Sequence, residues 1–479
     1  MNKFFRVTFL MLSLCSFTLL TSCDEEDPPL PDNIAEFQAD AQGLSADQSE
    51  ATVTLKVDRA VDVDAAIVVS FVPTGVTYGT DFTTTPAADA SNKITIPVAA
   101  GETTASFKVT KTNTTGLTGD EKIVFTIETI ADGLTLGDQK TFTLSFSEII
   151  ATSATMEING GGTNANNRVF IDLSGNRQTA VARTTWDFAF SSKADEFRVY
   201  LNAADKMLAR ALDKNDLASV TAADTVGFGA QLDLETIFAQ LNNEEIPDWV
   251  LGATAWMDMP AHPEMTAIAG ISSNNDDNHV YIVNRGEGPN HEKLGWVKIR
   301  VLRDGENYEF QYADIADENF ETVTVTKNSA TNLTYFSLAT NDVVTVEPNT
   351  GDWDIAWTGL TNELPLGPPG APTVPYYYQD IILQNTTGVS TAMIKTADIP
   401  YDSYGEDDID TDAFVSDNQL NIGDSWRSTR EGPVLNTDRY YVIQDGDGNV
   451  YKLQFTVFVA DGGVRGKPTF KFDLVKKGS

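Results

Sequence analysis

The feature that most limits how this chain can fold is a short motif that occurs twice. One copy reads Thr350-Gly351-Asp352-Trp353-Asp354-Ile355-Ala356-Trp357, and an earlier one Thr184-Thr185-Trp186-Asp187-Phe188-Ala189-Phe190. Trp353, Ile355 and Trp357 fall on alternate positions, as do Trp186, Phe188 and Phe190. A period of two places such side chains on one face of a β-strand, with Asp and Ala on the other. From residue 186 to residue 353 the pairs lie 167 positions apart. Propeller blades would bring a Trp-Asp pair back every ~40–45 residues. A domain-sized spacing points instead to an internal duplication of a β module.

The rest of the chain supports that reading. Residues 168–173 and 183–190 read as strands, then 279–284, 295–302 and 307–312, with a hairpin turn at 303–307. Residues 322–327 close the first half. In the second half 333–339 answers 168–173, 440–443 answers 280–283, and 449–459 answers 296–303. Residues 203–218 and 232–241 read as short helices, the latter with Leu234, Ile237, Phe238 and Leu241 on one side. The chain is therefore expected to be all-β: an immunoglobulin-like sandwich followed by two related antiparallel modules with a few short helices. The expected divisions are 1–22, 23–33, 34–150, 151–330 and 331–479.

Residues 1–22 have a basic start (Lys3, Arg6), an apolar run and small residues before Cys23, the pattern of a secretory signal. Leu20-Thr21-Ser22-Cys23 resembles the bacterial lipoprotein processing box. The resemblance implies cleavage before Cys23, lipid on that residue, and an outer-membrane anchor facing the cell surface. Several acyl chains would hold it stably, at ~0.8 kcal/mol per buried CH₂. The acidic run Asp24-Glu25-Glu26-Asp27 resembles the surface-export signal of lipoproteins from Bacteroidetes-type bacteria; Pro28, Pro29 and Pro31 extend the tether. The only other cysteine, Cys15, lies inside the signal, so the mature chain can form no internal disulfide. With 69 acids against 33 Lys and Arg, net charge −36, the chain lacks the basic surface that nucleic acid requires.

Residues 34–150 show strands at 51–57, 66–71, 93–98, 104–110, 122–128 and 140–146. Tyr78-Gly79-Thr80-Asp81-Phe82, Ile94-Thr95-Ile96-Pro97, Ala100-Gly101-Glu102-Thr103 and Asp120-Glu121 resemble Calx-beta domains in order and spacing. Some members bind calcium, which implies Asp81, Asp120 and Glu121 as the matching acids. A stalk with solvated acids is the plainer reading, because calcium needs six to eight oxygens.

Residues 167–476 resemble HmuY-family proteins, most clearly at Tyr335-Phe336-Ser337-Leu338, Trp353-Asp354-Ile355-Ala356, Arg439-Tyr440-Tyr441-Val442 and the run from Asp445 to Thr456. The resemblance implies an all-β surface lipoprotein that binds haem and hands it to a TonB-dependent outer-membrane receptor. The haem-binding prototype carries a histidine soon after the Trp-Asp-Ile-Ala strand. This chain has Trp357-Thr358-Gly359 there, and Phe190-Ser191-Ser192 in the first copy. The densest alternative ligands are Met257, Met259, His262 and Met265, in a stretch that holds Pro260 and Pro263 and starts beside Trp256; thioethers can ligate haem iron. They could equally fill the edge of a core. Tyr377, within Tyr376-Tyr377-Tyr378, could stack on a porphyrin or a sugar. No catalytic signature is present: no Gly-x-Ser-x-Gly, no His-Glu-x-x-His and no P-loop. The expectation is a non-enzymatic haem- or porphyrin-binding lipoprotein. The alternative is an adhesion or glycan-binding lipoprotein that has lost haem.

Overall fold

A computed structural model describes residues 32–478, except 45–47, 113–120, 148–149, 244, 431 and 461–462. The fold is all-β. Among the described residues no helix is long and apolar enough to cross a membrane. Cys23 and Asp120 lie outside the described residues.

The first unit is a sandwich of two five-stranded sheets. Ile34–Phe37 pairs in one sheet and Ala41–Gly43 in the other, so the entering chain laces the two together. Strict alternation drives the layers: in Glu50–Val57 and Lys93–Val98 every second side chain is buried. The six expected strands are present within a few residues. Four further short ones (Ile34–Phe37, Ala41–Gly43, Phe82–Thr85, Thr135–Leu136) complete the sheets.

The duplicated region is built as an exchange between its copies. The opening strand of the first copy, Asn167–Asp172, pairs with the second copy's Ile355–Pro365: Val169 faces Trp357 and Ile171 faces Ile355. Reciprocally, the first copy's Phe188–Ser191 pairs with Leu333–Ser337 of the second. The outer sheets repeat the exchange. Leu208–Ala211, Tyr281–Asn284, Trp296–Asp304 and Asn307–Asp314 form one with Glu321–Val325. Ser390–Lys395, Arg439–Gln444, Val450–Val457 and Thr469–Lys476 form the other with Ser153–Glu157. Glu321–Val325 thus holds the edge position in its sheet that Ser153–Glu157 holds in the other.

Side-chain contacts repeat with the same symmetry. Phe170 meets Trp353 edge-on at 5.2 Å, and Tyr335 meets Trp186 edge-on at 4.9 Å. Asp354 accepts the Leu173 amide at 2.8 Å and Asp187 accepts the Leu338 amide at 2.7 Å. Asn202 donates to the carbonyls of Arg183 and Trp186, Asn385 to those of Thr350 and Trp353. Each half lacks a complete sheet without the other.

Two expectations change. No helix spans 203–218; that stretch holds the strand Leu208–Ala211, whose buried Leu208 and Ala209 pair with Tyr281–Asn284, so tertiary pairing overrides the helix preference of Ala and Leu. The two tryptophans also change face. Ile355 and Trp357 enter the core shared with the first sandwich, and Phe188 and Phe190 enter the other outer core. Trp353 and Trp186 turn into the central layer with Ala356 and Ala189. The chain leaves a 3-10 turn just before each tryptophan and bends at Asp187 and Asp354, which resets the alternation.

Candidate functional site

The central layer does not close completely. Between the exchanged sheets lies a cavity of about 450 Å³. Both tryptophans form its walls, with Tyr200 and Leu201 from the first copy and Leu333, Leu360 and Leu383 from the second. Polar groups interrupt the apolar surface: Arg168, Arg183, Asn202, Glu347, Thr358 and Ser191. Lys193, Ser416 and Asp417 are exposed at its edge.

Ser191 and Thr358 are the residues just beyond the two Trp-Asp strands, where the family prototype would carry its histidine. Both are buried and both reach the cavity. Ser191 donates its hydroxyl to Glu196 at 2.5 Å. After Thr358 the hairpin with Thr373–Gln384 changes register, so Gly359 stands in a bulge. Bulges re-aim side chains beside sites. A Cβ on Gly359 would run into the Tyr377 hydroxyl, so a larger residue there would have to displace that ring.

That contact places Tyr377 one layer behind the wall. Arg183 donates to its hydroxyl at 2.8 Å and the Lys206 ammonium lies 5.0 Å from its ring centre. Burial pushes the hydroxyl up to about 12, so it stays protonated. Tyr376 and Tyr378 point to the other face and meet each other at 4.8 Å.

The methionine-histidine stretch folds over the cavity as a tight turn. His262 donates its amide to the Met259 carbonyl, Met265 to that of His262, and Met259 to that of Met265. The turn is stapled by Asp258, whose carboxylate accepts the amides of Leu201 (2.6 Å) and Ala267 (3.0 Å). Burial pushes Asp258 up to about 7. The four candidate ligands therefore part company. Met259, with Pro260 and Pro263, lines the cavity. Met257 is packed into a separate core with Leu208 and Ile282. His262 and Met265 are exposed on the outer side of the turn and do not reach the wall. Their backbone groups are committed to closing the turn, which leaves the side chains outside.

Glu347 is a structural carboxylate: it accepts the amides of Asn332 and Leu333 and the Tyr335 hydroxyl. Burial raises it above the usual carboxylate range. Arg168 was not singled out from the sequence, yet its position held a signal. It shares a strand face with Phe170, which is buried, so a cation there must enter the central layer.

In the first sandwich Asp81 accepts the Thr77 amide at 2.9 Å and Glu121 is buried. Among the described residues the only His and carboxylate group close enough to share a metal is Glu235, Glu287 and His291, elsewhere in the molecule. Glu287 there already pairs with Lys206 and Lys293. The Asp445 carboxylate accepts from Asp447 and Asn449.

The family model described as HmuY protein matches residues 369–472, which include the cavity residues Leu383, Ser416, Asp417 and Gln419. No curated protein matches the chain. Among solved structures, a putative HmuY-like heme binding protein from Bacteroides vulgatus ATCC 8482 is 10% identical with a TM-score of 0.18, over 68% of this chain and 93% of that one. The apo form of a Calx CBD1 domain is 14% identical with a TM-score of 0.21, over 24% of this chain and 97% of that one. A putative carbohydrate binding protein from Bacteroides ovatus ATCC 8483 is 10% identical with a TM-score of 0.17, over 93% and 99%. Likenesses of this degree say nothing about ligand or activity. What links the chain to a family is the sequence match: residues 369–472 fit the HmuY family model.

Proposed function

We propose that this chain is a cell-surface binding protein, anchored in the outer membrane by lipid on Cys23, that takes haem or a related porphyrin as cargo and passes it to a TonB-dependent receptor. The observation that carries the reading is the cavity of about 450 Å³ between the exchanged sheets, in a chain with a segment that fits the HmuY family model. Its volume lies in the ~300–1,000 Å³ range of small-molecule sites, and aromatic walls with a few fixed polar groups are the usual construction. Met259 is the thioether among the lining residues and would be the one to offer haem iron its sulfur. Binding rather than catalysis is proposed on the strength of the match to the HmuY family model.

A glycan is the second reading, favoured by one observation: among the described residues no histidine lines the cavity, whereas two tryptophans and several hydroxyls do. Titration of the full chain with hemin separates the two. Porphyrin binding gives a shifted, sharpened Soret band near one equivalent, weakened by Met259→Ala. A spectrum equal to that with a non-binding control protein discards the porphyrin reading. The same titration on His262→Ala with Met265→Ala is expected to match the wild type; a weakened band would return the ligand role to those two. Retention of Cys23→Ala in the membrane fraction would discard the anchor.

A further inference from the structure

Among the described residues three buried donors of the cavity wall have no hydrogen-bond acceptor; one, the Nε of Arg183, faces the Asp205 carboxylate at 3.2 Å, which leaves two without any counterpart. Among the described residues the Arg168 side chain has no hydrogen-bond or ion-pair partner, and its Nε is shut away from solvent. The indole N–H of Trp353, itself buried, is also unpartnered. The two stand in one stretch of wall, because both pack on Phe170: the Arg168 guanidinium lies 4.9 Å from that ring and Trp353 meets it edge-on at 5.2 Å. Buried donors are normally satisfied, and those left without an acceptor ask for an explanation.

The protein's own acids do not supply one. Glu347 is close enough to feel the Arg168 charge, but its oxygens are spent on two amides and Tyr335. Asp258 is spent on Leu201 and Ala267, and Glu196 receives Ser191. The first copy's Arg168 also breaks the symmetry of the site, because the matching position of the second copy is Leu333. The cavity therefore has one cationic end.

We propose that this end receives a carboxylate of the bound ligand, held by the Arg168 guanidinium and the Trp353 indole N–H. The inference rests on the cavity being the binding site. An arginine fork presents paired donors that match a carboxylate, and such charge-assisted bonds are stronger than neutral ones. A porphyrin propionate and a uronic acid of a glycan offer the same group.

The test uses the full chain and two matched pairs: protoporphyrin IX with its dimethyl ester, and a uronic-acid disaccharide with its neutral counterpart. The porphyrins are iron-free, so no axial bond contributes. The acid of one pair is expected to bind about tenfold to a hundredfold more tightly than its neutral partner, the size of a hydrogen-bonded charge. Arg168→Gln should remove that preference by weakening the acid alone. Trp353→Phe, which keeps the ring and loses only the N–H, should reduce it. Preference within the sugar pair alone retains the carboxylate site and discards the porphyrin. Acid and ester that bind alike, or an Arg168→Gln variant that weakens both equally, overturn the assignment while porphyrin binding itself stands. Binding of neither pair overturns both.

Discussion

Asp187 and Asp354 occupy matching places in the exchange, yet the same substitution should act on them differently. Each accepts one amide from the other copy's opening strand. Around Asp187 a second partner is present: Arg285 donates from Nε at 2.9 Å and from Nη2 at 2.8 Å. The position matching Arg285 in the second copy is Asp445, which adds repulsion to Asp354. Burial first, then Asp172, raise Asp354 well above the usual carboxylate range. Asp187→Asn leaves one acceptor oxygen for two donors and discards a charge-assisted bond, at about 2–3 kcal/mol. Asp354→Asn keeps the acceptor that Leu173 needs and removes an unfavourable buried charge, so its effect should lie within about 1 kcal/mol of zero or stabilise. In thermal melts at pH 7 the first variant should lose several degrees, at roughly 2–4 °C per kcal/mol for units of 150–250 residues. The pH dependence adds a sign. A carboxyl raised in the folded state holds its proton there after the unfolded chain has released it. Its stability contribution is thus present at low pH and is lost as pH rises above the ordinary range near 4 toward the folded value. Asp354→Asn should flatten that decline. Equal losses from the two variants would refute the asymmetry.

Asp258→Ala removes both acceptors from the cavity turn and should cost about 3 kcal/mol, read as a lower melting temperature and faster protease cleavage near residues 257–267. With Asp258 pushed up to about 7, its contribution should decline between about pH 4 and 7; melts of Asp258→Asn at pH 5 and 8 should differ less than those of the wild type. Gly359→Ala drives a methyl group at Tyr377 and should cost about 1–3 kcal/mol; an unchanged melt together with unchanged hemin titration would contradict the packing described. For Asp81, Asp120 and Glu121, 10 mM calcium tests the cation role: sites of ~0.1–1 mM affinity would raise the melting temperature by several degrees, whereas a shift of less than about a degree is expected.

Much of the architecture was readable because alternation is a strong signal over six or more residues. Glu50–Val57 and Lys93–Val98 show it with every second residue buried. Ala41–Gly43 and Thr135–Leu136 do not, being too short to display a period. The duplication was legible from Trp186 and Trp353, but its exchange was not, because strand order depends on partners far apart in sequence. The face of the tryptophans was misjudged for a local reason. Alternation was extended through Asp187 and Asp354, where the chain bends to let each carboxylate reach the opposite copy. Of the candidate site, Met259 reaches the cavity, whereas Met257, His262, Met265 and Tyr377 do not line it. Composition brings such residues together in sequence; the Asp258 staple and the turn's backbone bonds set the path of residues 258–267, and strand pairing sets Tyr377.

The symmetry and its departures do different things. Matching contacts at Phe170–Trp353 and Tyr335–Trp186 place the same aromatic pair on each of the two exchanged sheets, and both pairs belong to the central layer where the cavity lies. A frame that was symmetric in every side chain would offer a ligand the same groups at both ends. Here Arg168 stands opposite Leu333 in the repeat, and Arg183 opposite Thr350, so cations gather on the first copy's contribution. The covering turn, with Asp258 and Met259, also comes from the first copy. The second copy supplies Thr358, the bulge at Gly359 and the edge at Ser416 and Asp417. On the proposed reading, a bound molecule would meet Arg168, Arg183 and Met259 from the first copy and Thr358 and Leu360 from the second. Its orientation would then depend on residues that break the repeat, while the tryptophans that reveal the repeat give it walls.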